Sequence, residues 1–207
     1  HTLQDNGIDL LKMVTISFPE PATNNAGSDG VMCSNSTFSL SANTTNELNF
    51  EWLSDDGTFD DYSSKNTNFT PNSVAIDGGI AQIVSKVTAN GGCLPVYDTL
   101  SVIIVKAPEV NAGVDTSYCE GETVSLKGAA SNYSNIVWSV ISGNGMVINN
   151  SNLTASYIPT ALDFENGSVD LQLTANGIST CGTISDQVTI TLKKRPTIID
   201  VISDTLC

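Results

Sequence analysis

The chain has 207 residues, 22 acidic against 8 basic side chains, and a formal net charge of −14. That sign opposes nucleic acid and anionic membrane surfaces as partners, because both need basic patches. A hydrophobic content of 40% excludes a disordered chain, and no run nears the length of a membrane span, so no membrane insertion is expected.

The first predicted element is a strand over residues 9–18, read as the last strand of a preceding repeat occupying 1–19. A unit over 20–107 follows, with strands expected near Thr37–Ser41 (B), Leu48–Leu53 (C), Asn68–Thr70 (E), Ile80–Ala89 (F) and Thr99–Lys106 (G). Lys106-Ala107-Pro108-Glu109 is a joint. It is short, lacks Gly/Ser composition, and its proline fixes φ, so neighbouring units should swing little. A second unit over 108–195 carries strands near 109–114 (A), 123–128 (B), 135–141 (C), 145–148 (C′), 154–158 (E), 168–175 (F) and 186–194 (G). Residues 196–207 read as the first strand of a following repeat. No amphipathic window is long enough to call for a helix.

The two units repeat one pattern. Asn25-Ala26-Gly27, Cys33 and Trp52 recur 86 positions later as Asn111-Ala112-Gly113, Cys119 and Trp138. Pro71, Cys93, Asp98 and Pro108 recur 88 positions later as Pro159, Cys181, Asp186 and Pro196. Units of this length each bury one core, and short strands with regular turn punctuation read as sandwiches. The expected fold is all-β: tandem immunoglobulin-like β-sandwich domains arranged end to end. Trp52 and Trp138 fall on strand C and are expected in the cores.

Cys33, Cys119 and Cys207 form one class of cysteine, Cys93 and Cys181 the other. Cysteines recurring once per unit without CxxC pairs read as disulfides, not zinc ligands. Two pairings stay open. One lies within units, Cys33–Cys93 and Cys119–Cys181. The other crosses a joint, Cys33–Cys181, because the turns carrying the two classes fall at opposite ends of one sandwich.

The only histidine is His1, so serine-histidine and cysteine-histidine triads are absent. The paired acids Asp55-Asp56, Asp60-Asp61 and Glu120 with Glu122 do not recur between copies. The chain therefore reads as a non-enzyme with no cofactor. Calcium is the one metal weighed, with Asp29, Asp77 and Glu109 as candidate ligands near a joint. Tyr62, Tyr97, Tyr118 and Tyr133 are candidate sugar contacts.

The string from Asn111 to Leu126, with Val137-Trp138-Ser139 and Ser142-Gly143-Asn144-Gly145, resembles the Ig/PKD-like repeats of Bacteroidota cell-surface gliding-motility adhesins of the SprB type. The resemblance implies structural stalk repeats of a large adhesin, exported by type IX secretion and attached to the outer membrane at the cell surface. Its partners would be neighbouring repeats of the same chain, with surface polysaccharide or gliding machinery met through other regions. Asp98-Thr99-Leu100 and Asp204-Thr205-Leu206 resemble the O-glycosylation triplet of that phylum, which makes Thr99 and Thr205 candidate sites. The rival expectation is a calcium- or carbohydrate-binding accessory module of a secreted multidomain protein.

Overall fold

The computed structural model describes residues 20–89 and 93–196. The strand expected over 9–18, and that expected over 196–207 except for Pro196, lie outside them, together with Cys207 and Thr205.

The first unit runs β1 (Thr23–Asn25), β2 (Gly30–Cys33), β3 (Phe38–Ser41), β4 (Asn43–Thr45), β5 (Glu47–Leu53), β6 (Gly57–Phe59), β7 (Asn66–Pro71), α1 (Ser73–Gly78), β8 (Ile80–Ala89) and β9 (Val96–Val105). The second runs β10 (Glu109–Asn111), β11 (Thr116–Cys119), β12 (Val124–Lys127), β13 (Ala129–Ser131), β14 (Tyr133–Ser142), β15 (Met146–Ile148), β16 (Thr154–Ile158), α2 (Ala161–Asn166), β17 (Ser168–Gly177) and β18 (Thr183–Lys193). The sheets are β2-β9-β8-β5 against β3-β7-β6, then β11-β18-β17-β14 against β12-β16-β15, with β1-β4 and β10-β13 as short pairs. Among the described residues no pairing joins a strand before Pro108 to one after it. These are two immunoglobulin-like sandwiches in tandem.

Alternation with period two builds the cores. On β8 the residues Ala81, Ile83, Ser85, Val87 and Ala89 point inward, and on β17 Val169, Leu171, Leu173 and Ala175 do so. Trp52 on β5 and Trp138 on β14 are each 1% exposed.

Three expectations need correction. The strand expected over 109–114 is split. Its first half pairs with β13, and after a break at 112–115 the chain rejoins as β11, parallel to β18 in the other sheet. The break is a hydrogen-bonded corner. Ala112 N–H donates to the Asp186 carboxylate at 2.8 Å, and Gly113 N–H donates to Asn111 Oδ1 at 2.7 Å with φ at 96°. Ala26, Gly27, Asn25 and Asp98 build the same corner in the first unit, which gives the recurring Asn-Ala-Gly and Asp their structural cause. Second, the strand expected as C′ over 145–148 pairs with β16, so it is the D edge of the opposite sheet. The crossing brings Gly145 so near the partner strand that a Cβ there would lie 2.1 Å from the Ile158 carbonyl oxygen. Third, two helices occur where none was expected. Each has six residues, too short for periodicity to register. End groups make them: Asn72 Oδ1 accepts from Ala75 N–H at 2.9 Å, the Asp163 carboxylate accepts from Thr160 N–H at 2.7 Å, and Gly79 and Gly167 close them left-handed.

Candidate functional site: the joint between the units

β2 runs parallel to β9 and ends with Cys33 opposite Val105, so Cys33 lies where the first unit hands over to the second. β17 and β18 are antiparallel, and the turn between them carries Cys181 at the end of the second unit opposite to the one where β18 leaves it. Two tight bonds shape that turn, Gly177 N–H to the Gly182 carbonyl at 2.9 Å and Cys181 N–H to the Ile178 carbonyl at 3.1 Å. A side chain at 177 would stand 2.6 Å from Cys181 Cβ, which explains the glycine.

Cys33 and Cys181 are joined by a disulfide with Cα atoms 5.0 Å apart, across 148 residues of sequence. Both are nearly buried, at 5% and 6% exposed. Cys181 Sγ lies 3.5 Å from the Val105 carbonyl oxygen and 3.6 Å from that of Lys106. A disulfide sulfur has no proton to donate, so these are packing contacts over the joint's backbone. The pairing within units is geometrically closed. Cys33 and Cys93 sit at opposite ends of the ten-residue β9, about 30 Å at the strand rise. A disulfide tolerates roughly 7 Å between Cα atoms. The eleven-residue β18 separates Cys119 from Cys181 in the same way. Cys93 and Cys119 are exposed free thiols.

The connecting residues are held from both sides. Ala107 N–H donates to Ser34 Oγ of the first unit at 3.0 Å, and the Ala107 carbonyl accepts from Asn132 Nδ2 of the second at 3.1 Å. Asn132 adopts φ 54°, the left-handed region an asparagine tolerates better than most residues. Ser34 N–H donates to the Val105 carbonyl at 2.8 Å. Lys106 Nζ pairs with Asp77 at 2.8 Å, and that ammonium holds the Asp77 carboxyl below its usual range. Pro108 brings no N–H that needs a partner. The joint therefore has both backbone polar groups of Ala107 bonded, one from each unit, and a covalent bond beside it.

The weak calcium candidates do not converge. Asp29 accepts from Ser101 N–H at 2.8 Å, part-way along β9; Asp77 is paired with Lys106; Glu109 accepts from Ser131 Oγ at 3.1 Å. Among the described residues no group of three His, Cys, Asp or Glu is placed to hold a metal ion. Five of the six paired acids are spent on local structure. Asp56 accepts from Gln82 N–H, Asp60 from Asn68 Nδ2, Glu120 from Arg195 N–H and Glu122 from Cys119 N–H. Asp61 accepts the Ser63 hydroxyl at 2.6 Å and its N–H at 2.8 Å, which hold its carboxyl below the ordinary value. Tyr62 and Tyr97 are well exposed, Tyr133 packs against the second core, and Tyr118 OH donates to the Ser125 carbonyl. Thr99 is exposed, while the Asp98 carboxylate before it accepts from Ala26 N–H. Sequence reasoning missed Ser34 and Asn132 at the joint. The one available signal was that Asn46 and Asn132 keep the repeat spacing of 86.

No protein-family model matches the chain, and no match is found among the curated proteins. Similar solved structures include Drosophila OTK extracellular domains 3-5, at 13% identity over 84% of this chain and 62% of that one, TM-score 0.48. Human protocadherin-24 EC1-2 is 12% identical over 86% of this chain and 100% of that one, TM-score 0.46. The protocadherin gamma B2 extracellular cadherin domains 3-6 are 13% identical over 83% of this chain, TM-score 0.43. This chain spans 47% of the length of that last one. Likeness at this distance carries no argument about function; the fold stands on the strand pairings above.

Proposed function

We propose that the chain is a structural spacer, stacked sandwich units of an exported surface adhesin, whose task is to keep units in line and pass tension along the chain. The observation that carries this is the joint: one disulfide and hydrogen bonds from both sides fix residues 106–108. A disulfide joining two units supports an oxidising compartment outside the cytosol. Among the described residues, Asp56, Asp60, Asp61, Glu120 and Glu122 bond to neighbouring turns and strands, which suits a structural role. The placing in a gliding-motility adhesin exported by type IX secretion rests on the sequence resemblance of Asn111–Leu126, Val137–Ser139 and Ser142–Gly145 alone.

Small-angle scattering with and without reductant tests the spacer reading. The oxidised chain should fit one inter-unit angle, and reduction should broaden the distribution while leaving each unit folded. An unchanged profile would show that the bond clamps nothing. Saturable binding of the fragment to a glycan array would move the function to ligand recognition.

A further inference from the structure

The two outer ends of the pair repeat the two halves of the joint that is closed between them. At the trailing end, Glu120 N–H donates to the Lys193 carbonyl at 2.9 Å, as Ser34 N–H does to Val105. Arg195 N–H donates to Glu120 Oε2 at 3.3 Å, as Ala107 N–H does to Ser34 Oγ. Lys194 Nζ faces Glu165 at 3.9 Å, as Lys106 faces Asp77. Cys119 stands opposite Lys193 in register, as Cys33 stands opposite Val105. At the leading end, Asn46 takes φ 55° and its Nδ2 donates to the Pro21 carbonyl at 3.2 Å, as Asn132 does to Ala107. Cys93 lies between β8 and β9 as Cys181 lies between β17 and β18. One contrast remains. The bonded Cys33 and Cys181 are buried, whereas Cys119 and Cys93 are exposed.

We infer that Cys119 and Cys93 are complementary half-joints, each made to form a disulfide with the opposite class of cysteine on another unit of this kind. This rests on the reading of Cys33–Cys181 as a clamp. The backbone groups that receive a neighbour at the closed joint are set in the same way at both ends. Applied to two copies of this chain, the rule pairs Cys119 of one with Cys93 of the next and pairs neither with its own kind. Closure needs an oxidant, here a small disulfide such as oxidised glutathione. The Cys119 thiolate attacks one of its sulfurs and releases a glutathione thiolate. The Cys93 thiolate then attacks the Cys119 sulfur of the mixed disulfide and releases the second. Two protein thiols lose two protons and two electrons, and one small disulfide becomes two thiols.

Two full-length variants test this, both also carrying Cys207→Ser. One carries Cys93→Ser and presents only Cys119; the other carries Cys119→Ser and presents only Cys93. Each is incubated with oxidised glutathione, alone and mixed at high concentration, and read by non-reducing electrophoresis and disulfide peptide mapping. The mixture should give a covalent dimer in about tenfold excess over either variant alone, since docking raises the local concentration of the matching thiol only. Its linking peptide should join Cys119 to Cys93. Equal dimer in all three tubes, or none in the mixture, overturns the inference. The same digests report Cys33–Cys181. Its absence would sink the clamp itself, while its presence without mixture-specific dimer would sink only the half-joints.

Discussion

The two units place different residues in the same three positions, and in each case two neighbouring positions changed together. The first unit packs Phe38 against Gly30, so closely that a Cβ at 30 would lie 2.4 Å from the ring; the second holds Val124 and Thr116 there. The first buries Ser85, whose hydroxyl donates to Asn24 Oδ1 at 2.9 Å; the second puts Leu173 and Val110 in an apolar core. The first fills the turn before β8 with Phe69 and Ala75, both apolar and buried. The second holds Tyr157 and Asp163 there, with Tyr157 OH donating to the carboxylate at 3.0 Å. That carboxylate, fully buried, also accepts from Asn144 N–H and Thr160 N–H, each at 2.7 Å, and from Thr160 Oγ1 at 3.0 Å. At this place the fold holds either an apolar pair or a bonded polar pair, and in the second unit each polar group of the pair has its partner. An aromatic chain of Phe50, Trp52, Phe59 and Phe69 supports the first core where Ile136, Trp138, Val147 and Tyr157 support the second.

The sharpest break of this symmetry is Asp163→Ala. It strands several buried donors and should cost on the order of 4 kcal/mol, confined to the second unit. Chemical denaturation followed by hydrogen exchange would show β10–β18 opening early and β1–β9 unchanged. Ala75→Asp alone should destabilise the first unit, and adding Phe69→Tyr should recover part of that loss.

The same pair makes the second unit's stability depend on pH at both extremes. Burial by itself would raise the Asp163 carboxyl, but the bonds from Thr160, Asn144 and Tyr157 outweigh it and hold the carboxyl below 3.8. Its contribution is complete above that ordinary value and is lost as pH falls through the lower folded one. Burial, followed by the hydrogen bond to Asp163, pushes the Tyr157 phenol up to about 12 from 10.0. That contribution is complete below the ordinary value and is lost as pH rises toward the folded one. Melting curves against pH should therefore fall off for the second unit first at both ends. Parallel curves for the two units would contradict the assignment.

Smaller effects come from the large-for-small exchange. Phe38→Val should leave a void and cost about 2 kcal/mol, and Gly30→Thr should cost a similar amount through overpacking. The double variant should lose less than the sum, as a double-mutant cycle would read. Smallest is Ser34→Ala, which removes one bond at the joint. Exchange of the Ala107 amide should speed up about fivefold, the equivalent of about 1 kcal/mol.

Much of this was legible in the chain because it is local. Alternation located β8 and β16 to the residue, and the tryptophans on strand C lie in the cores. What escaped depends on contacts far apart in sequence. Residues 109–114 read as one strand, and only Asp186, more than 70 positions on, shows where it breaks. Met146–Ile148 follows β14 directly, so adjacency suggests a hairpin; its true partner is β16. The helices hang on single capping groups at Asn72 and Asp163. Two cysteine pairings stay open in the sequence because turn placement favours the joint while the loops around Cys93 and Cys181 are long enough to bend, and only the folded chain shows which pair meets.

Non-reducing peptide mapping of the intact chain tests the central claim most directly. The account predicts a linked peptide pair containing Cys33 and Cys181, with Cys93 and Cys119 recovered as thiols from the freshly isolated monomer. A Cys33–Cys93 or Cys119–Cys181 peptide would contradict it and would leave the joint without its clamp.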